Sequence, residues 1–307
     1  MRLALRVVAV VLFLAAGAIA ILLVPPHVQI RGIAPELPSE AQLRSLGAVG
    51  NGPVAVHYLS TATQASPDRT LGHTVFAIEW QDGRLFMIDA SMDRKAADEF
   101  AELLKLMNGA EDGEYFGSVA DLLGGEIQQV SGVGFTHLHI DHTQGVVPFC
   151  EARGQGARVY QTPDQRNEQN LHTKEGARIV RDSCLGEGTL KGDVILQAEE
   201  FPGLGIVALG GHTPGSTLFA VPVKGHLWLF AGDTTNSKIN LIEDRGKGLL
   251  YSNFIVPEDT TRTAQLRSWL LGLDGKPDIT VVVSHDIIDT QQSGMPAYGT
   301  SGPSQRD

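Results

Sequence analysis

The segment His137-Leu138-His139-Ile140-Asp141-His142 places three imidazoles and a carboxylate side by side, directly after an apolar stretch predicted to be a β-strand. Residues two apart in an extended chain point to the same side, so His137 and His139 can hold one metal ion together. Asp141 and His142 lie where the chain turns towards a helix and can face a second ion. Imidazole and carboxylate suit Zn²⁺, and iron or manganese would also accept them. The alternative is a chance cluster of histidines on a solvated loop.

Three further donors follow other predicted strands. His212 lies in the turn Gly210–Ser216, Asp233 comes directly after Gly232, and His285 follows Ser284. Each of them alone is more often an ordinary loop residue. Together they stand at the carboxyl ends of strands and supply donors that the first cluster lacks, because an ion needs four or more ligands.

The remaining pattern predicts an α/β fold. Two blocks of strands, each followed by helices, favour two sheets packed together with helices outside. The predicted strands are Val54–Ser60, Thr74–Trp80, Arg84–Ala90, Val130–Phe135, Ala157–Gln161, Asp193–Gln197, Gly205–Leu209, Ser216–Pro222, His226–Ala231 and Asp278–Val283. The predicted helices are Ser39–Leu46, Met92–Asn108, Ser118–Leu123, Val146–Ala152 and Thr261–Leu273.

The ordered set of motifs resembles the metallo-β-lactamase superfamily. The similarity runs from about Thr74 to Asp286 and includes the HLHIDH segment, a downstream GHTPGS at 211–216, a Gly-Asp pair after a strand and a late Ser-His-Asp. Asp89 matches the early strand-end aspartate of the superfamily. It is followed by Ala90-Ser91, where Thr or Ser and then Gly is usual, which is a mild departure.

The resemblance implies a four-layer αββα sandwich with a two-metal site, most simply two Zn²⁺. Carried over by position, the first metal would be held by His137, His139 and His212. The second would be held by Asp141, His142 and His285, with Asp233 bridging the two. Such a site implies metal-assisted hydrolysis of a small-molecule substrate, with Asp141 as the catalytic residue that orients the nucleophile or passes a proton to the leaving group.

The bridging Asp233 favours an ester, a lactone or a related acyl bond as the substrate. Asn236 stands where acyl-homoserine lactonases carry a catalytic tyrosine, which weakens the simplest lactonase assignment. A β-lactamase-like amide hydrolase is an alternative. A di-iron oxidoreductase, or a metal-binding protein without turnover, is a second one.

The N-terminus predicts export. Arg2 and Arg6 precede an uncharged apolar run, Val7–Val24, which Pro25-Pro26 is expected to end. At about 1.5 Å a residue the run reaches roughly 27 Å, enough to cross a bilayer core. The basic flank predicts a signal anchor in the inner membrane with the rest of the chain on the periplasmic or extracytoplasmic face. A cleaved signal peptide and a buried soluble helix are the alternatives.

The expected division of the chain is therefore 1–24 as the anchor, 25–52 as a linker, 53–290 as the metallo-β-lactamase-fold domain and 291–307 as a flexible tail. The net charge of −11 argues against nucleic acid as a partner. Cys150 and Cys184 could pair in an oxidising compartment or remain two buried thiols. The sequence leaves the oligomeric state open.

Overall fold

Two β-sheets packed face to face form the centre of the computed structural model, which describes residues 2–299. The first sheet has the strand order β4-β1-β2-β3-β5-β6-β7, antiparallel from β4 to β3 and parallel from β3 to β7. Its strands are β1 Pro53–Ser66, β2 Arg69–Trp80, β3 Leu85–Ile88, β4 Gly113–Tyr115, β5 Val130–Gly134, β6 Arg158–Val159 and β7 Gly186–Glu187.

The second sheet has the order β13-β12-β11-β10-β9-β8 and is antiparallel except between β12 and β13. Its strands are β8 Lys191–Gly192, β9 Leu196–Gln197, β10 Gly205–Ala208, β11 Thr217–Val223, β12 His226–Phe230 and β13 Ile279–Val282. The helices are α1 Arg2–Ile30, α2 Glu40–Ser45, α3 Arg94–Asn108, α4 Val119–Leu123, α5 Ile140–Thr143, α6 Val146–Arg153, α7 Pro163–Arg166, α8 Lys174–Arg181, α9 Lys238–Ile242, α10 Thr260–Asp274 and α11 Ile287–Gln292. Short 3-10 turns cover Leu46–Ala48, Gly124–Gln129 and Gly232–Thr234, and one turn of π-helix covers Tyr251–Ile255.

The strands bury both faces, which explains the layers. In β12, Trp228 and Phe230 point between the sheets, whereas Leu227 and Leu229 point outwards, as the two-residue period of a strand requires. Phe230 meets Phe76 of the first sheet at a ring-centroid distance of 4.5 Å. The outward side of the second sheet packs against α2 and α10, and that of the first sheet against α4, α6 and α8. The predicted αββα sandwich is confirmed.

Glycine in β5 allows the two sheets to approach. A Cβ at Gly132 would lie 2.5 Å from ring carbons of Phe86 and Phe201, and a Cβ at Gly134 would lie 2.5 Å from the ring of Phe219. Any side chain there would push the aromatic core apart. The close approach fixes the end of β5, from which the histidine-rich segment starts.

The first hairpin is longer than the sequence predicts. Strands β1 and β2 continue to Ser66 and from Arg69, beyond the predicted ends at Ser60 and Thr74. Their extension contains buried polar side chains, such as Gln64, whose amide donates to the carbonyls of Ala101 and Glu111 at 2.9 and 2.7 Å. A polar strand of this kind lacks the apolar alternation by which strands are predicted.

The described residues of the predicted linker and tail, 25–52 and 291–299, include helical turns and buried side chains. Helix α1 continues through Pro25 and Pro26 to Ile30, beyond the predicted end at Val24, although a proline inside a helix removes an N–H donor and disfavours the helix. Leu43 and Leu46, within the predicted linker, are buried against the second sheet.

Met295, within the predicted tail, is buried between the sheets, and the backbone of Tyr298 donates to the carbonyl of Tyr58 at 2.9 Å. These backbone contacts leave little trace in a Gly/Pro-rich sequence. The rest of the predicted tail, 300–307, lies outside the described residues.

Candidate metal centre

The seven predicted ligands converge at one edge of the sandwich. The segment after β5 brings His137, His139, Asp141 and His142, the last two on α5. His212 follows β10, Asp233 lies in the 3-10 turn after β12, and His285 follows β13. Strands from both sheets therefore deliver the side chains to a single place.

Three histidines form the first group. The ligand atoms of His137, His139 and His212 all lie within 4.8 Å of one another. His212 Nε2 is 3.2 Å from His139 Nδ1, and the ring of His137 is 4.7 Å from each of the other two rings. This spacing fits three nitrogens arranged around one cation.

A second group lies directly beside it. His285 Nε2 is 3.2 Å from Asp233 Oδ1 and 3.4 Å from Asp141 Oδ2. His142 Nε2 lies 3.6 Å from the same oxygen of each carboxylate. Two imidazoles and two carboxylates thus surround a second point.

Asp233 belongs to both groups. Its Oδ1 faces His142 and His285, whereas its Oδ2 is 3.7 Å from His212 Nε2. One carboxylate therefore presents one oxygen to each group, which is the arrangement that a bridging ligand requires.

The donor atoms fit divalent cations. Among the described residues, 2–299, the buried atoms His137 Nε2, His142 Nε2 and Asp233 Oδ1 meet no hydrogen-bond partner. Buried polar atoms are rarely left unpaired, because each one costs free energy unless a partner or a cation satisfies it. A set of nitrogen and carboxylate donors is the set that Zn²⁺ accepts, and the site supports a divalent metal.

The comparison with protein families gives the assignment. The family model described as the metallo-beta-lactamase superfamily matches residues 68–285, most of the chain. The chain belongs to the metallo-beta-lactamase superfamily. No curated protein matches the sequence.

Solved structures of this superfamily share the fold at low identity. An N-acyl homoserine lactone hydrolase with N-hexanoyl-L-homoserine at its metal centre is 15% identical, with a TM-score of 0.54 over 78% of this chain and 96% of that chain. A probable metal-dependent hydrolase from Staphylococcus aureus is 16% identical, with a TM-score of 0.54 over 78% and 91%. The dizinc quorum-quenching lactonase AidC is 14% identical, with a TM-score of 0.52 over 78% and 91%. Family membership and the converging donors together support a metal-dependent hydrolase.

Each group of this superfamily member has a carboxylate behind one histidine. His142 Nδ1 is 2.9 Å from Asp89 Oδ2, and His212 Nδ1 is 2.5 Å from Glu258 Oε1. Such a contact fixes the tautomer, so that Nε2 is free to face a metal. Asp89 is itself held by Thr136, whose N–H and hydroxyl donate at 2.7 and 2.8 Å. Asp89 is the residue that matches the early strand-end aspartate of the superfamily, while Glu258 has no sequence motif to mark it.

Lys247 is the largest addition to the predicted site. Its ammonium lies 3.2 Å from Glu258, 3.4 Å from Asp233 Oδ2 and 3.1 Å from His212 Nδ1, and its side chain is 3% exposed. Burial lowers the pKa of Lys247, but the carboxylates of Glu258 and Asp233 outweigh it and raise the pKa above its usual value. Lys247 therefore remains a cation in the interior. The sequence Gly246-Lys247-Gly248 gives no signal beyond a loop.

A buried histidine outside the seven predicted ligands, His73, also lies at the centre. His73 Nδ1 is 3.9 Å from Asp141 Oδ2, and its ring lies 5.3 Å from that of His285. The signal was hidden because His73 lies inside β2 among apolar neighbours rather than at a strand end.

In the second group, Asp233 and His285 hold each other in charged forms. Burial raises the pKa of Asp233, yet His285 and Lys247 bring it well below its usual value. Burial likewise lowers the pKa of His285, but Asp233 and Asp141 raise it to about 10. A cation that binds at the second group must therefore displace a proton from His285.

Proposed function

We propose that the protein is a dinuclear-metal-dependent hydrolase of an ester, lactone or related acyl bond, anchored in the membrane with its catalytic domain on the extracytoplasmic side. The position of Asp233 carries the proposal, because its two oxygens face the two histidine groups separately. A mononuclear site would leave one of these groups without a role.

The proposed ligands divide between two metal positions, most simply two Zn²⁺. The first position would take His137, His139 and His212, and the second Asp141, His142 and His285, with Asp233 shared. Held there, two divalent cations would supply Lewis-acid polarisation of a carbonyl oxygen and would acidify a water molecule.

Side chains of the protein itself would orient the attacking water and transfer a proton to the leaving oxygen. The Asp141 side chain is 11% exposed and its Oδ2 lies 3.4 Å from His285 Nε2, so we assign it the orientation of the attacking water and the transfer of a proton to the leaving oxygen. Lys247 places a fixed positive charge behind Asp233 and His212. An acyl substrate is consistent with the lactone hydrolases that share the fold. The position of Asp233 between the two histidine groups favours the same class of substrate.

The location rests on two features of the chain. Leu5–Ile30 is long and apolar enough to cross a membrane, and its side chains are largely exposed. Cys150 and Cys184 are joined in a disulfide, a bond that persists in oxidising compartments outside the cytoplasm. A cleaved signal sequence would export the same domain, so the N-terminus of the native protein separates the anchor from the signal.

A substrate panel run beside metal analysis tests the proposal. Full-length protein in detergent is given esters, lactones, thioesters and β-lactams, and its metal content is measured on the same preparation. We expect two zinc ions per chain and metal-dependent turnover of an ester or lactone. Asp141→Asn should lose most of this turnover and keep its fold, whereas Asp98→Asn, on the surface of α3, should leave it unchanged.

Two results would contradict the proposal. Absence of metal-dependent turnover for every substrate of the panel would exclude the proposed hydrolase function. Two redox-active irons per chain would instead favour the oxidoreductase.

A further inference from the structure

The end of the apolar helix α1 lies against the loops that carry the metal centre. His27 Nε2 is 3.1 Å from the carbonyl oxygen of Asn253, and the amide of Asn170 donates to the carbonyl of Pro26 at 3.4 Å. Further on, the carbonyl oxygen of Ile33 is only 2.4 Å from where a Cβ at Gly210 would lie. Gly210 precedes the proposed ligand His212 by two residues. The place where the chain leaves α1 is therefore beside the site.

Exposed apolar side chains gather on the same segments. Leu249 is 81% exposed, Leu250 75%, Phe254 59% and Val28 68%, and Leu171, next to Asn170, is 45% exposed. We call these five residues the juxtamembrane patch. Apolar groups gathered in this way mark a surface that meets a partner rather than water.

One loop carries part of the patch and also contacts the metal centre. Between Leu250 and Phe254, the hydroxyl of Ser252 donates to Glu258 Oε2 at 2.8 Å, and Glu258 in turn contacts His212 Nδ1. Lys247 stands just before Leu249 and contacts both Glu258 and Asp233. Direct contacts therefore connect the exposed apolar residues of this loop with the proposed ligands His212 and Asp233.

We infer that the juxtamembrane patch inserts into the interfacial layer of the bilayer and that the substrate is a membrane-borne amphiphile, an ester or lactone with a long acyl chain. Both parts rest on the proposed function, the insertion on its membrane anchor and the substrate on its acyl hydrolysis. The bilayer is the partner because the patch continues directly from the end of the membrane-spanning helix, which holds it at that surface. The net charge of −11 leaves apolar burial, rather than attraction to anionic lipid, as the force of contact. A substrate dissolved in the same layer reaches the centre without crossing water.

Labelling of single cysteines tests the contact with lipid. The two native cysteines form a disulfide, so Leu250→Cys introduces the only free thiol for an environment-sensitive fluorophore. Leu106→Cys is the matched control, because Leu106 is 86% exposed on α3, which packs on β1 and β4. The full-length protein is placed in nanodiscs that contain nitroxide-labelled phospholipids.

We expect the label at Leu250 to be quenched several-fold more strongly than the label at Leu106. Equal quenching at the two positions would overturn the inference. Emission at Leu250 that shifts with protein concentration, without quenching by lipid, would identify a second copy of the chain as the partner and would overturn it too.

A pair of substrates tests the route of entry. Leu249→Ser/Leu250→Ser should lower kcat/KM about ten-fold for a long-chain acyl ester held in vesicles, and less than two-fold for a short-chain, water-soluble ester with the same leaving group. Equal loss for both esters, or loss for neither, would reject the membrane-borne substrate. If wild type hydrolyses neither ester, the proposed function fails, while the labelling result still decides whether the patch meets lipid.

Discussion

Replacing one or the other of the carboxylates that contact His212 and His142 should weaken the binding of one proposed metal at a time. Glu258→Gln weakens the acceptor of His212 Nδ1, behind the first proposed metal position. Asp89→Asn does the same for His142, behind the second position. The Nδ1–oxygen distances are 2.5 and 2.9 Å, and all four side chains are buried, so each carboxylate holds its own imidazole.

The expected magnitude follows from this geometry. Loss of such a supporting contact typically lowers metal affinity about 10- to 100-fold, or about 1.4–2.7 kcal/mol. Glu258→Gln should weaken the first metal by this factor, because the neutral amide no longer favours one tautomer of His212. The second metal should change less than about three-fold. Asp89→Asn should show the reverse, with some further loss because Thr136 also donates to Asp89.

Competition with a chelator measures both affinities on one sample. Full-length protein loaded with zinc is titrated with chelators of graded strength, and bound metal is counted at each step. In wild type the two ions leave in steps that define the reference. If both variants lose the same ion first, or both lose the two ions together, the division of ligands between two positions is wrong. As a further check, His212→Ala should mimic Glu258→Gln and not Asp89→Asn.

Three other perturbations have defined outcomes. Lys247→Met leaves the carboxylate of Glu258 buried without its ammonium partner and should lower the free energy of unfolding of the metal-free protein by about 3–5 kcal/mol in a urea titration, whereas a loss below about 1 kcal/mol would contradict the buried pair. The pKa of Glu168 is raised from 4.5 to about 7 by burial, so the folded state binds the proton more tightly and its stability falls as the pH rises from 4.5 to 7. Glu168→Gln should therefore be more stable than wild type at pH 8 by about 3 kcal/mol and lose this advantage near pH 4.5, and a gain that is independent of pH would refute the raised pKa of Glu168. Reduction of the disulfide between Cys150 and Cys184 should cost about 3–4 kcal/mol, read as a lower urea midpoint with a reductant, and an unchanged midpoint would show that this crosslink does not stabilise the fold.

The sequence was most informative where chemistry depends on local spacing. His137 and His139 could be placed together because a strand repeats every two residues. Asp233 and His285 could be placed near them because each follows an apolar run that reads as a strand. The core layers followed from the same alternation, as Leu227 to Phe230 illustrate.

What the sequence missed depends on contacts between distant residues. Glu258 meets His212 across 46 residues, and Lys247 meets it across 35. Neither residue stands in a pattern that separates a buried ion from a solvated loop. The burial of Gln64 and Met295 was not predicted for a related reason. Gln64 lies at a polar strand end and Met295 in a Gly/Pro-rich chain end, and both are held by contacts with residues distant in the sequence.

In the proposed reaction, Lys247 would have an electrostatic role in addition to its contribution to stability. Four carboxylates surround the centre, those of Asp89, Asp141, Asp233 and Glu258, and two divalent cations would balance them. Lys247 adds one more fixed positive charge, held by the fold at 3.4 Å from Asp233 Oδ2. In the proposed hydrolysis, negative charge would move from the attacking water onto the acyl oxygen, and a fixed positive charge in a buried site would stabilise it more than solvent does. Under the proposed function, Lys247 would therefore supply from behind the ligands a positive charge that Asn236 does not supply from the substrate side.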